Sequence, residues 1–190
     1  MTRIEYKEIG ETLYSAQLPN GLELRVIPKK DFSTFYAVFG SGPTSKLFLN
    51  VREKLSLCYY AGSILVIRKG LMLVSSGVAF ENFEAARDEI LAQLEAIRNG
   101  EITDEEMEWA RRGVASDLRA MLDSPGELEG FWLAQALDGL DYGPEALAEL
   151  VGEVTKEQVV AVAKSVVCDL IYFLRGRDEE EEEGESDDEN

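Results

Sequence analysis

The dipeptide Asn20-Gly21 separates two stretches of alternating apolar and polar residues and is the strongest local constraint on the fold. A type I′ turn needs positive φ at both central residues, and Asn-Gly adopts that conformation readily. Residues 13–18 precede the turn and residues 22–27 follow it, before Pro28 ends the second stretch. The pattern predicts a two-stranded hairpin within residues 11–30.

The pattern then changes to helical spacing, with short apolar stretches between the helices. Residues 33–39 fit either a strand or one to two turns of buried helix, since periodicity does not decide at that length. Thr44 or Ser45 is a plausible N-cap for the next helix. Further along, Asn99-Gly100 ends a predicted helix, Thr103 and Glu106 form a capping box, and Thr155 is an N-cap. The sequence then predicts, in order, a helix at 45–54, strands at 57–67 and 71–80, helices at 84–98, 103–122, 128–137, 144–150 and 156–165, and a buried last strand at 166–174.

This order of elements predicts an α+β fold, with a mostly antiparallel sheet and helices packed on one face. We expect a single domain at residues 11–176, after an N-terminal segment at 1–10. The run "DEEEEEGESDDEN" holds ten of the 37 acidic residues and no basic one. Such a run buries no apolar area, so residues 177–190 are expected to form a disordered acidic tail.

Charge and composition exclude several classes of function. Without the run at residues 178–190, 27 acidic residues remain against 19 basic ones, a net charge of -8. A protein that binds nucleic acid needs a basic surface, so no nucleic-acid partner is expected. Histidine is absent, which excludes Ser-His-Asp and Cys-His catalysis and any histidine metal site within this chain.

The apolar stretches also predict where the protein resides. None approaches the roughly 20 residues that span a bilayer, so no membrane is expected. The N-terminus has no apolar signal region, which favours the cytoplasm. Cys58 and Cys168 lie in apolar runs, and we expect buried free thiols, with a disulfide as the less favoured alternative.

The stretch "GSGPTSKLFLNVREKLSLCYYAG" resembles the C-terminal part of the pitrilysin/insulinase family of zinc peptidases. That part of the family has a Gly-rich loop, then Ser-Arg/Lys-Leu-Phe, Arg-Glu-Lys and Leu-x-Tyr, in this order. The resemblance continues through "KGLMLVSSGV", "NGEITDEEMEWAR" and "YFLRG", so that it covers residues 39–176. It is most similar to the bacterial cytosolic processing-peptidase-like group, whose members often occur as unlike pairs.

The hairpin "LPNGLELRVIPKK" resembles a different part of the same family, the opening hairpin of a family half. In full-length members long stretches separate that hairpin from the later motifs, whereas here only residues 31–39 intervene. The chain therefore resembles a member whose middle is missing, or a hairpin joined to a C-terminal half.

The resemblance implies a substrate-binding role for Arg52 and Tyr59, which match the Arg-Tyr pair of the half that lacks zinc. A guanidinium and a phenol can donate hydrogen bonds to a peptide carbonyl or carboxylate and stabilise an oxyanion. The family's His-x-x-Glu-His zinc motif is absent, so no catalytic residue and no metal ligand is assigned. The structural alternatives are an Arg52–Glu53 ion pair on a surface helix and a half-buried strand tyrosine.

Two functional hypotheses follow from the resemblance. In the first, the chain is the non-catalytic, peptide-binding subunit of a zinc metallopeptidase pair, with zinc in the partner subunit and none here. In the second, it is a truncated, peptidase-derived interaction or scaffold module, for which a homodimer would be expected. An active enzyme with unfamiliar carboxylate chemistry is a third and less favoured hypothesis.

Overall fold

The structure is a computed structural model, and it describes residues 2–6, 11–17, 23–26, 30–66, 71–138 and 140–175. Its strands are β1 (Thr2–Tyr6), β2 (Glu11–Gln17), β3 (Glu23–Val26), β4 (Cys58–Val66) and β5 (Leu71–Val78). Its helices are α1 (Lys30–Gly40), a π-helix (Leu47–Lys54), α2 (Phe83–Arg98), α3 (Asp104–Ala120), α4 (Pro125–Asp138), α5 (Pro144–Gly152) and α6 (Lys156–Ser165).

The strands form two antiparallel sheets, and the predicted α+β class is confirmed. The predicted hairpin is present as β2 and β3, with Tyr14 opposite Val26. The strand β1 pairs with the other side of β2, so the predicted N-terminal segment 1–10 contains a strand that the sequence pattern did not indicate. The strands β4 and β5 form the second sheet. The turn residues Asn20 and Gly21 and the tail 177–190 lie outside the described residues.

The main core lies between β4 and the helices. The ambiguous stretch 33–39 is helical, and it buries Phe35 and Phe39, whose rings stack with centroids 5.8 Å apart. Burying a side chain of this size contributes about 1.5–3 kcal/mol. The other buried members of this core are Ala37, Val38, Leu47, Val51, Ala61, Ala86, Leu94, Ile97, Ile102, Met107, Ala110, Val154, Val159, Val162 and Ala163.

Close packing requires a glycine where α1 ends against β4. A Cβ atom at Gly40 would lie 2.5 Å from the Ser63 Oγ atom and 2.9 Å from the Ser63 Cβ atom. Gly40 begins the stretch "GSGPT" that resembles the Gly-rich loop of the family, but it is the last residue of α1, and its lack of a side chain lets the helix approach the strand. Gly42 does lie in the following loop, with φ at +83°, where a glycine avoids the strain that a side chain would cause.

The helix starts predicted at Thr103 and Thr155 are confirmed, whereas Lys46, and not Thr44 or Ser45, is the N-cap of the π-helix. Thr103 and Glu106 form a capping box at the start of α3, and Thr155 and Gln158 form another at the start of α6. Each satisfies two backbone N–H groups at the helix N-terminus. Gly100, with φ at +78°, follows the end of α2 as the Asn-Gly signal predicted.

One predicted helix has an unusual form, and one predicted strand is absent. The helix predicted at residues 45–54 is present as the π-helix Leu47–Lys54. Residues 166–174 were expected to form a buried central strand, but they follow α6 without regular secondary structure and are largely exposed. The apolar run indicated a buried strand because that is the usual reason for such composition. Burial also needs neighbouring strands, and within the described residues none pairs with this segment.

Both cysteines lie among the described residues. Cys58 and Cys168 are both free thiols, as expected. Cys58 is half-buried, whereas Cys168 is exposed, so the prediction that both are buried was wrong for Cys168. In this part of the chain, every helix falls short of the length and apolar character needed to cross a membrane.

Candidate functional site

A π-helix precedes the candidate site. Helices of this type are rare and occur frequently at functional sites. In a π-helix each N–H donates to the carbonyl five residues earlier. This spacing continues just past the C-terminal end, where the Leu55 N–H donates to the carbonyl oxygen of Asn50 at 3.3 Å. Within it, the Arg52 guanidinium carbon lies 4.6 Å from the centre of the Phe48 ring, a cation–π contact. The helix therefore presents Arg52 on an aromatic support.

Ser56 turns the chain from the π-helix into β4. Its φ is +51°, the one positive φ at a residue other than glycine within the described ranges. The Ser56 N–H donates to the Arg52 carbonyl at 3.1 Å, and the Leu57 N–H donates to the Val51 carbonyl at 3.2 Å. This left-handed residue ends the helix and satisfies its last carbonyls, which explains how a helix and a strand meet without a longer loop.

Tyr59 occupies a β-bulge at the start of β4. Cys58 pairs with Val78 and Tyr60 pairs with Gly77, so two steps along β4 correspond to one step along β5. Tyr59 is the extra residue, and its side chain is 86% exposed. Bulges of this kind redirect a side chain and are frequent next to active sites.

The structure brings Arg52 and Tyr59 together, as the resemblance predicted, but through the tyrosine backbone. The Arg52 Nε atom donates to the Tyr59 carbonyl oxygen at 3.0 Å. The Arg52 guanidinium also forms the ion pair with Glu53 that was considered as the structural alternative, at 3.0 Å. Both groups are substantially exposed, and such a pair contributes little to stability.

An open groove of about 450 Å³ begins at Tyr59 and lies between the starts of β4 and α2. Its walls combine backbone from the bulge with two phenol rings and one amide side chain. The lining residues are Ser56, Leu57, Cys58, Tyr59, Tyr60, Gly77, Val78, Ala79 and Asn82.

Gly77 and Ser76 fix the position of Tyr60 in this groove. A Cβ atom at Gly77 would lie 2.7 Å from a ring carbon of Tyr60, so the ring covers the glycine. The Ser76 hydroxyl donates to the Tyr60 carbonyl at 2.9 Å. The sequence did not indicate Gly77 or Ser56 as residues of the site. A glycine inside a strand is a known signal for a bulge or a close approach and could have indicated Gly77, whereas no signal marked Ser56.

A buried ion pair joins Lys46, the residue before the π-helix, to the first turn of α3. Lys46 Nζ lies 2.8 Å from Glu106 Oε1, and both side chains are largely buried. The other oxygen of Glu106 accepts the Thr103 N–H of the capping box at 2.8 Å. The start of α3 therefore fixes the start of the π-helix. Within the described residues, no cluster of three or more His, Cys, Asp or Glu side chains could hold a metal ion.

Comparison with known proteins agrees with the family resemblance. Residues 29–114 match the family model described as the peptidase M16 inactive domain. The probable inactive metalloprotease YmfF of Bacillus subtilis is 34% identical over 142 residues, which is 75% of this chain and 33% of that protein. An uncharacterized zinc protease of Rickettsia bellii is 24% identical over 132 residues, which is 68% of this chain and 32% of that protein.

Two solved structures share the fold. A conserved protein from Enterococcus faecalis V583 superposes with a TM-score of 0.66 at 32% identity, over 71% of this chain and 32% of that one. A protease from Helicobacter pylori superposes with a TM-score of 0.62 at 21% identity, over 72% of this chain and 34% of that one, a likeness in fold alone.

The chain spans about a third of the length of these relatives and solved structures. The matched region contains the π-helix, the bulge and the groove. Residues 29–114 therefore correspond to the inactive domain of the peptidase M16 (pitrilysin/insulinase) family, a non-catalytic module derived from a peptidase.

Proposed function

We propose that this chain is the non-catalytic, peptide-binding subunit of a cytoplasmic zinc metallopeptidase pair. The observation that carries the proposal is the 3.0 Å hydrogen bond from Arg52 to Tyr59, which places Arg52 beside a residue of the groove wall. An inactive M16 domain supports it, because such a domain has a peptidase ancestry without its own zinc motif.

The proposed binding mode follows from the groups that the groove exposes. A peptide would lie extended and use backbone hydrogen bonds at the irregular edge of the β4–β5 sheet. The Tyr59 phenol, which is exposed, would donate to a peptide carbonyl. The Arg52 guanidinium would donate to a second carbonyl or to a carboxylate.

Zinc would belong to the partner subunit, where it would activate the water that attacks the peptide bond. The role of this chain would be to hold the peptide backbone and to stabilise charge that develops on the scissile carbonyl. The names of the relatives are consistent with such a division, since one is a probable inactive metalloprotease and another an uncharacterized zinc protease.

A binding measurement on the isolated chain tests whether it binds peptide. The fluorescence anisotropy of a labelled, unstructured peptide is titrated with the wild-type chain, with Arg52→Ala and with Tyr59→Phe. Losing a hydrogen bond to a charged group costs about 1.5–3 kcal/mol, so Arg52→Ala should weaken binding roughly tenfold or more. Tyr59→Phe removes one neutral donor and should have a smaller effect.

Arg87 provides a matched control for Arg52. It also pairs with the acidic residue that follows it, Asp88, at 2.8 Å, and it lies over the ring of Phe83, four residues earlier. It differs in lying on α2, where it bonds Asp88, whereas Arg52 bonds Tyr59 of the groove wall. Arg87→Ala should therefore bind peptide like the wild type. Equal losses for Arg52→Ala and Arg87→Ala would show a general charge effect and would refute the site.

The scaffold hypothesis is the second candidate, and one observation favours it. Large apolar side chains are exposed on the β4–β5 sheet, among them Ile64, Leu71 and Leu73. Exposed apolar surface of this kind marks contacts with other proteins. If no peptide binds to the wild-type chain while the chain self-associates, the scaffold function would replace the peptide-binding function.

A further inference from the structure

Residues 166–175, here called the strap, leave α6 and carry their apolar side chains into solvent. The sequence "VVCDLIYFLR" is rich in residues that favour strands. Four of its side chains are at least three-quarters exposed: Val167 at 80%, Leu170 at 79%, Tyr172 at 76% and Leu174 at 78%. Among the described residues, no strand pairs with it.

The strap is fixed near both of its ends by α2. The Arg98 guanidinium, at the C-terminus of α2, donates to the Val166 carbonyl at 2.6 Å. Near the other end, the Phe173 ring stacks on Phe83, at the N-terminus of α2, with centroids 4.1 Å apart. The Arg175 guanidinium lies 4.4 Å from the centre of the Phe80 ring.

These two anchors show that the strap is extended. The 16 residues of α2 span about 24 Å at 1.5 Å per residue. The seven steps from Val166 to Phe173 span about 23 Å at the rise of a β-strand. The two lengths agree, so the strap follows α2 from end to end in a nearly strand-like conformation. An extended segment without a neighbour presents unpaired N–H and C=O groups, which is a template for pairing with another strand.

We propose that the straps of two copies of this chain pair as antiparallel strands about a two-fold axis at Tyr172. In this register Asp169 of each copy faces Arg175 of the other, and Tyr172 faces its own equivalent. Leu170 then faces Leu174. The two charged residues of the strap are thus brought opposite each other, and no charge faces its like.

The contact of Phe173 with α2 supports this choice of face. Successive side chains of a strand point to opposite sides, and Phe173 points towards α2. Leu170, Tyr172 and Leu174 therefore share the outward side, in agreement with their exposure. Pairing two straps would place six such side chains on one continuous apolar surface, and cross-strand apolar and opposite-charge pairs stabilise antiparallel strands.

The net charge of the chain determines how salt should affect the affinity of the proposed dimer. Each copy carries a formal charge of -18, so two copies repel each other at low ionic strength. Added salt screens this repulsion over a distance of about 10 Å at 0.1 M. The apolar pairing is much less sensitive to salt, and the dimer should become tighter as salt is raised. This surface is separate from the groove and does not depend on peptide binding.

Charge reversal at the two positions tests the register. The mass of the full chain is measured by sedimentation velocity across the micromolar range, with reductant present because Cys168 is exposed. The wild type should form a dimer. Asp169→Arg and Arg175→Asp each place like charges opposite each other twice, and each should weaken the dimer by roughly tenfold. An equimolar mixture of the two variants restores both opposite-charge pairs and should form a 1:1 dimer.

Matched substitutions on α3 control for net charge. Asp117→Arg and Arg119→Asp change the charge by the same amounts at exposed positions away from the strap, and each should dimerise like the wild type. The proposal is overturned if the wild type is monomeric throughout this range. It is also overturned if the strap variants dimerise as the α3 variants do, or if mixing the two strap variants gives no recovery.

Discussion

The Arg52 Nε atom donates to the carbonyl oxygen of Tyr59 at 3.0 Å, which joins the end of the π-helix to the bulge in β4. A bulge residue has no hydrogen-bonding partner on the neighbouring strand. Here Arg52 donates to the carbonyl oxygen of the bulge residue Tyr59 instead. The guanidinium is thereby fixed beside Tyr59, which lines the groove. The relationship makes the position of Arg52 depend on the bulge, so changes in the sheet should affect peptide binding.

Gly77→Ala tests this dependence. The new Cβ atom would lie 2.7 Å from the Tyr60 ring, so the ring must move and the wall of the groove with it. We expect weaker peptide binding with a loss of stability of about 1–3 kcal/mol, typical of overpacking, as measured by anisotropy and by urea unfolding. Gly113→Ala is the control, since open space surrounds that helical glycine and alanine should stabilise α3 by about 0.5–1 kcal/mol.

Ser56→Gly should stabilise the protein. Ser56 has a φ of +51°, and a side chain in this region costs roughly 1–2 kcal/mol relative to the ordinary conformation. Glycine adopts it without that cost, although it also gives the unfolded chain more freedom. We expect a net gain of about 0.5–1 kcal/mol in urea unfolding. A loss of stability would mean that the Ser56 side chain makes a favourable contribution here.

The buried pair of Lys46 and Glu106 should show strong coupling. Lys46→Met leaves the Glu106 carboxylate without its 2.8 Å partner and should cost about 3 kcal/mol. The double variant with Glu106→Gln removes both charges and preserves the capping box, so it should cost much less than the two single changes together. A double-mutant cycle in urea measures the coupling. Additive losses would show that the pair contributes no interaction.

Glu157 should make the stability of α6 depend on pH. A hydrogen bond from its own backbone N–H, with a further one from the Thr155 side chain, holds the pKa of Glu157 below its ordinary value. A lowered folded-state pKa stabilises the protein above the unfolded-state pKa, and the contribution disappears as pH falls through the folded-state pKa.

The wild type should therefore melt at a higher temperature than Glu157→Gln at pH 7. The two melting temperatures should converge in the acid range. Thermal unfolding followed by circular dichroism at both pH values measures this. A constant difference between the two proteins would exclude ionisation of Glu157 as the cause.

The sequence predicted those parts of the fold that depend on local signals. The capping box at Thr103 and the alternation around β2 and β3 are signals of this kind, since each is complete within a few residues. The π-helix could not be predicted, because eight residues do not distinguish its hydrogen-bond spacing from that of an α-helix. The strap was mispredicted because burial depends on neighbours that the sequence pattern does not specify.

The candidate site was predicted only in part. Arg52 and Tyr59 were selected through a family resemblance, and the structure places them together. Their actual connection, a guanidinium on a bulge carbonyl, follows from a register shift between β4 and β5. Such a shift depends on strand pairing across a turn and leaves only a weak trace in the sequence, namely Gly77.

The most direct test of the proposed function is the rate of peptide cleavage by this chain together with a zinc-bearing partner. The partner is a His-x-x-Glu-His subunit purified as a complex with this chain from the same cells. We expect cleavage by the wild-type complex, and with Arg52→Ala a complex that assembles normally but cleaves at least about tenfold more slowly. Arg87→Ala should cleave at the wild-type rate. Full cleavage by the Arg52→Ala complex, or the absence of any such partner, would contradict the proposed function.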